Sequence, residues 1–289
     1  MRAARTNSSP RGFTTVTAVV AIIVFFVALV AVVVHRGTED HMPESQATDN
    51  ESSEQENKER PSVLREFTAL GQTSTYRIFT EGVDFSKPVG VVMRLHGDGD
   101  NETTQPEGVL SDIAAVAADH NMILVAPRSP DTAFGAVWWQ ELDIHVAWLK
   151  QLVQEVILRI KGVDPKDIWW MGYSGGSEIL GYGILPFGGE LVTGGALMMA
   201  GGGAPERLPE GSPLSQSPAD LPLSWVVGTL DDGSTSPDGF NAIQAARSGE
   251  EFYRDLGFDQ TSLEFIPGID HYGLPQAESL DEFLDAKRD

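Results

Sequence analysis

The chain contains no cysteine. That excludes disulfides, thiolate zinc ligands, cysteine nucleophiles and lipidation on cysteine. Basic residues are scarce as well: 20 Lys and Arg stand against 42 Asp and Glu, for a formal net charge of −22. A surface this acidic repels phosphate backbones, so no nucleic-acid partner is expected. Neutral and cationic substrates stay open. Histidine is also rare, with six residues in 289, so a general base has few candidates. What is present is ordinary: 41% apolar and 21% charged residues point to a globular protein of one or two domains. There is no internal repeat.

The first 60 residues differ from the rest. Residues 1–12 carry Arg2, Arg5 and Arg11 and no acid. Residues 13–34 are apolar except for Thr14, Thr15 and Thr17. As a helix this stretch is about 33 Å long, enough to cross a bilayer core. It lacks the small-x-small cleavage site of a secretory signal, so an uncleaved transmembrane signal anchor is expected. The flanking arginines place the N-terminus in the cytoplasm, leaving the body of a single-pass cell-membrane protein extracytoplasmic. Residues 35–61 are rich in Glu, Asp, Ser, Gln and Asn and poor in large apolar side chains, so a disordered acidic linker is expected. Residues 62–289 are long enough for one substantial domain.

Within that domain strands and helices alternate. Residues 64–70 and 75–79 read as a hairpin. Residues 89–95, 122–126, 167–172, 196–200, 224–228 and 263–266 are apolar runs suited to buried strands. Between them residues 111–120, 177–185 and 241–256 read as helices, with another from Ala277. Leu142, Val146, Leu149, Val153, Val156 and Ile160 mark one apolar helix face, with Gly162 as its expected C-terminal cap. This alternation predicts an α/β fold with a mainly parallel central sheet and helices on both faces. The loop 201–222 is too short to form a large cap domain. Trp169, Trp170, Met198 and Met199 are expected in the core.

Gly172-Tyr173-Ser174-Gly175-Gly176 fits G-x-S-x-G, placed between a predicted strand and a predicted helix. There the serine occupies a strained turn that lifts its hydroxyl above the sheet, and the N–H of Gly175 faces a developing oxyanion. Of the histidines, only His271 lies downstream of Ser174 in a loop at the end of a strand. A base needs an acid to fix its tautomer. Asp231 and Asp232 follow the strand 224–228; Asp231 is the first choice, Asp232 the next and Asp270 a weaker one. The loop Leu95-His96-Gly97-Asp98-Gly99 should supply a second oxyanion donor, the Asp98 N–H, with His96 a structural residue. Trp138, Trp139 and Tyr173 are candidate walls of a substrate pocket. Asp98, Asp100 and Glu102 lack full calcium-loop spacing, so no metal is expected.

These motifs, LHGDG at 95–99, GYSGG at 172–176, GTLDDG at 228–233 and DHYG at 270–273, make residues 62–289 resemble the α/β-hydrolase superfamily. The chain is similar to its capless esterases of the polyhydroxybutyrate depolymerase and feruloyl esterase type. The resemblance implies Ser174 as nucleophile, Asp231 as acid and His271 as base. It implies the amides of Asp98 and Gly175 as oxyanion hole, and neither metal nor organic cofactor. The expected function is that of a membrane-tethered extracytoplasmic serine hydrolase acting on a small-molecule or polymeric carboxylic ester. The same triad also serves a peptidase or an acyltransferase, and the fold without its chemistry would serve as a binding protein.

Overall fold

A computed structural model describes residues 62–206, 208, 219–234, 236 and 238–288. The expected anchor at 13–34 and linker at 35–61 lie outside them. Among the described residues no helix is long and apolar enough to cross a membrane.

The chain begins with a hairpin, β1 (Ser62–Ala69) and β2 (Gln72–Phe79), followed by β3 (Val89–Leu95). A single helical turn, α1 (Asn101–Thr104), leads to α2 (Val109–Asp119), β4 (Met122–Pro127) and α3 (Leu142–Glu155). Next come β5 (Val163–Tyr173), α4 (Gly175–Ile179) and α5 (Leu185–Gly188). The domain closes with β6 (Gly195–Met199), β7 (Leu223–Gly228), α6 (Ala242–Asp255), β8 (Thr261–Ile266) and α7 (Gln276–Lys287). Between β6 and β7 the described residues form no helix or strand.

One eight-stranded sheet has the order β1-β2-β4-β3-β5-β6-β7-β8. The β1–β2 and β2–β4 pairs are antiparallel, and every later pair is parallel. Every residue of β3, β4, β6 and β7 is buried, as strands covered on both faces must be. The two sides can be read from adjacent tryptophans of β5, because successive strand residues point to opposite faces. Trp169 packs edge-on against Phe283 of α7, whereas Trp170 donates its indole N–H to Leu191 O just after α5. On the second side Tyr253 of α6 packs on Trp225 of β7 and bonds Gly181 O. After β3 the chain moves to β4 on one side and then to β5 on the other. This switch opens a crevice at the C-terminal ends of β3 and β5, where open α/β sheets bind ligands.

Three expectations on local structure change. The 142–160 helix ends at Glu155 and tightens into one 3₁₀ turn at Ile157–Arg159. The tighter turn rotates the buried face, so Ile157 is fully buried while Val156 and Ile160 are only partly so. Gly162, at φ 98°, therefore turns the chain into β5 and caps no α-helix. The helix after Ser174 begins at Gly175, and one π turn at Leu180–Ile184 separates α4 from α5.

Two glycines let β5 meet α4. A Cβ on Gly172 would lie 2.5 Å from Gly176 O, and one on Gly176 would lie 2.3 Å from Leu95 O. Both contacts are with backbone, which cannot swing away. Gly176→Ala is expected to lose about 1–3 kcal/mol by overpacking, measured as the shift in urea-unfolding midpoint at unchanged slope. A wild-type midpoint would refute this packing constraint.

Candidate active site

Ser174 sits between the end of β5 and the first residue of α4, at φ 51° and ψ −119°. A non-glycine residue in this region is strained, and such strain collects at functional sites. The surrounding bonds hold it: Ser174 N donates to Met199 O at 2.9 Å, while Ser177 N and Glu178 N donate to Ser174 O at 2.8 and 3.0 Å. The Ser177 hydroxyl ties the same helix start to Met199 through both its backbone N and O. The Ser174 side chain is left facing the crevice.

His271 comes from the loop after β8. Its Nε2 lies 2.9 Å from Ser174 Oγ and its Nδ1 lies 2.8 Å from Asp231 Oδ2. Asp231 follows β7 and is fully buried, with Oδ1 lacking a hydrogen-bond partner. A buried carboxylate bonded to one ring nitrogen fixes the orientation and tautomer of the imidazole. Asp232 points elsewhere: it accepts from Ser234 N at 2.9 Å, and its bonds to Ser234 hold its carboxyl below the usual range. Asp270 likewise closes a turn, accepting from Tyr272 N at 3.0 Å. Of the three acids considered, only Asp231 reaches the histidine.

Gly175 opens α4, so its N–H is among the donors a helix leaves without an intrahelical partner. Asp98 lines the same cavity, of about 610 Å³, together with Ser174, Gly175, Tyr173, Trp139 and His271. A second cavity, of about 760 Å³, adjoins it and shares Trp139, Glu178, Tyr182 and Phe240. Tyr173 donates its hydroxyl to His271 O, and burial raises its phenol far above the usual range. Trp139 is partly exposed and donates its indole N–H to Asp98 Oδ2 at 2.9 Å.

Trp138 departs from expectation. It is fully buried between His96 and His145, and it does not line the cavity. The two tryptophans are adjacent, but the backbone between them turns one inward and leaves the other at the rim. His96 is structural in its contacts. It receives Ser129 N at Nε2 (2.9 Å), so its Nδ1 carries the proton donated to Gly97 O (2.6 Å). Burial pushes its basicity down, so it holds the loop as a neutral ring.

Several contributors escaped the sequence reading. Glu178 lies one helical turn beyond Ser174, and that i+4 spacing was the available signal. Tyr182 follows Glu178 at the same i+4 spacing, whereas Asp238 and Phe240 arrive from a distant segment and carry none. Asp131 carries the shape of the Trp138–Trp139 loop, accepting from Ala133 N, Phe134 N and Val137 N. His120, Asp281 and Asp285 approach each other on the surface. A hydrogen bond of 2.8 Å between His120 Nε2 and Asp281 Oδ1 links the end of α2 to α7 there.

No protein-family model matches the sequence, and no curated protein matches it. Solved structures do match. A thermostable esterase superposes with TM-score 0.50 at 16% identity, over 78% of this chain and 60% of its own, so this chain spans less than two thirds of that enzyme. A cold-adapted esterase from an Arctic intertidal metagenomic library gives 0.53 at 16% identity, over 78% and 93% of the two chains. The feruloyl esterase module from Clostridium thermocellum, as its S954A mutant with sinapinate, gives 0.51 at 12% identity, over 78% and 85%. The described domain therefore has the α/β-hydrolase fold of these esterases.

Asp131 offers a test of how the rim is held. Burial alone would raise its carboxyl, but the amides of Val137, Phe134 and Ala133 outweigh that and hold it below the ordinary value. A lowered folded pKa stabilises the fold above the unfolded pKa and is lost as pH falls through the folded value. Asp131→Asn should therefore destabilise the protein at pH 7, with the gap to wild type closing below about pH 4. Thermal melts across pH 3–7 measure this; a gap constant with pH would contradict it.

Proposed function

We propose that this protein is a serine hydrolase that cleaves carboxylic esters through Ser174, His271 and Asp231. The observation that carries the reading is the hydrogen-bonded chain of 2.9 and 2.8 Å linking a strained serine, a loop histidine and a buried aspartate. Ser174 Oγ attacks the ester carbonyl as His271 Nε2 takes its proton. The new imidazolium is stabilised by Asp231, and the amides of Gly175 and Asp98 receive the oxyanion. The tetrahedral adduct collapses when His271 returns the proton to the leaving alcohol, leaving an acyl-enzyme. Water then attacks with His271 as base, and the acid leaves. Tyr173, bonded to His271 O, keeps the base in register. The esterase neighbours support an ester, small enough for the crevice, as the substrate.

The same proposal includes a membrane tether. Residues 13–34 form the anchor and the domain faces out of the cytoplasm, supported by the length of the apolar run and the arginines before it.

The test uses the full chain in detergent. Ser174→Ala should lower kcat on short-chain esters by about 10⁴-fold or more, at near-unchanged KM. A fluorophosphonate probe should form an adduct on Ser174, found by peptide mass spectrometry and lost in His271→Ala. Near-normal turnover in Ser174→Ala would refute the assignment. For the tether, the domain should resist carbonate extraction from cell membranes and be digested by protease added outside spheroplasts; release by carbonate would refute it.

A further inference from the structure

The amide of Asp98 serves the oxyanion in the reading above, but its side chain occupies the same neighbourhood. A Cβ built on Gly175 would come within 2.0 Å of Asp98 Oδ1, so that oxygen lies against the backbone that opens α4. The other oxygen is held by the Trp139 indole at 2.9 Å. The carboxyl is therefore held beside the place where the oxyanion forms, in a residue whose surface is otherwise exposed to water. Burial pushes it above the usual carboxylate range, and nearby Asp238 pushes the same way. Burial pushes the carboxyl of Glu178, which lines the same cavity, above its usual range, and the charge of Asp98 adds to this.

A negative charge here opposes negative charge on a carbonyl oxygen, the reverse of what an oxyanion site requires. The opposition is removed when the substrate brings a cation that pairs with the carboxylate. Among the described residues lining the two cavities there is no lysine or arginine. Glu102 has its own partner in the buried Arg94, at 2.8 Å, whereas Asp98, Glu178 and Asp238 have no cationic side chain among their bonds to the described residues. The indole of Trp139 and the ring of Phe240 border the same space and give a cation aromatic surface to rest on.

We propose that Asp98, backed by Glu178, selects esters that carry an ammonium group close to the scissile carbonyl. The inference rests on the serine-ester reading and names its substrate class. The experiment compares kcat/KM for ethyl 4-(trimethylammonio)butanoate and its uncharged isostere, ethyl 5,5-dimethylhexanoate, with the full chain at low ionic strength. Wild type should favour the cationic ester by about tenfold or more, a preference that falls with added salt. Asp98→Asn keeps the amide and removes the charge. It should lower kcat/KM for the cationic ester relative to the neutral one, and so erase or reverse the preference. Glu178→Gln should move the ratio the same way by less. A wild-type preference for the neutral ester, or an Asp98→Asn variant that slows both esters alike, would overturn the proposal. If Asp98→Asn fails to fold, Glu178→Gln and Asp238→Asn measure the same ratio, and an unchanged ratio in both would overturn it. Hydrolysis of neither ester with Ser174 still labelled by the fluorophosphonate would overturn the substrate class alone. Loss of that labelling would instead sink the serine reading, and the selection with it.

Discussion

The site depends on one close approach: the start of α4 runs against the ends of β3 and β5 with no room for a side chain. Gly176 lies almost in contact with the carbonyls of Leu95 and His96, and Gly172 with the backbone of Gly176 and Ser177. That proximity forces Ser174 into its positive-φ turn. It also brings the loop after β3 beside the helix opening, so that Asp98 and Gly175 border one cavity. The strain, of order 1–3 kcal/mol for such a conformation, is offset by bonds from Ser174 and Ser177 to Met199 on the neighbouring strand.

Around this junction the loops are tied to one another and to the strand ends. Ser129 N binds His96, Asp131 gathers three amides of its own loop, and Trp139 reaches back to Asp98. On the other side Tyr173 holds the carbonyl of His271, and Thr229 Oγ1 receives Gly268 N. These ties come from three crossovers and converge on the serine–histidine pair. Preorganised geometry of this kind spares the reaction the cost of arranging its own groups.

Much of this was legible because it is local. G-x-S-x-G at a strand-to-helix junction announces its own turn. The buried strands read as continuous apolar runs because both of their faces are covered. The choice of Asp231 over Asp232 was not local: neighbours in sequence, they diverge because one is drawn under His271 and the other closes a turn on Ser234. Trp138 and Trp139 diverge for the same reason, one stacked on His96 and the other bonded to Asp98. The end of α3 was misread because its apolar spacing runs on through Ile160 while the backbone tightens at Ile157. On the cavity lining, Glu178 and Tyr182 follow Ser174 at helical spacing, but Asp238 and Phe240 are brought there by tertiary packing, which no spacing records.

The acidic lining acts in opposite senses on the two charges the proposed reaction creates. Asp98 and Asp238 line the same cavity as His271, so their carboxylates attract the imidazolium that the proposed reaction forms. Asp231, bonded to the Nδ1 of the same ring, stabilises that charge further. The same Asp98 carboxyl abuts Gly175 and opposes the oxyanion. A neutral ester thus gains at the base and loses at the carbonyl. Because Coulomb energy falls as the inverse of distance, the loss is set by the nearer pair. Glycine at position 98 would abolish that loss and keep the amide. The carboxylate anchors the Trp139 indole, and a substrate cation would offset what it costs at the carbonyl; the preference between charged and uncharged isosteres reads this balance directly.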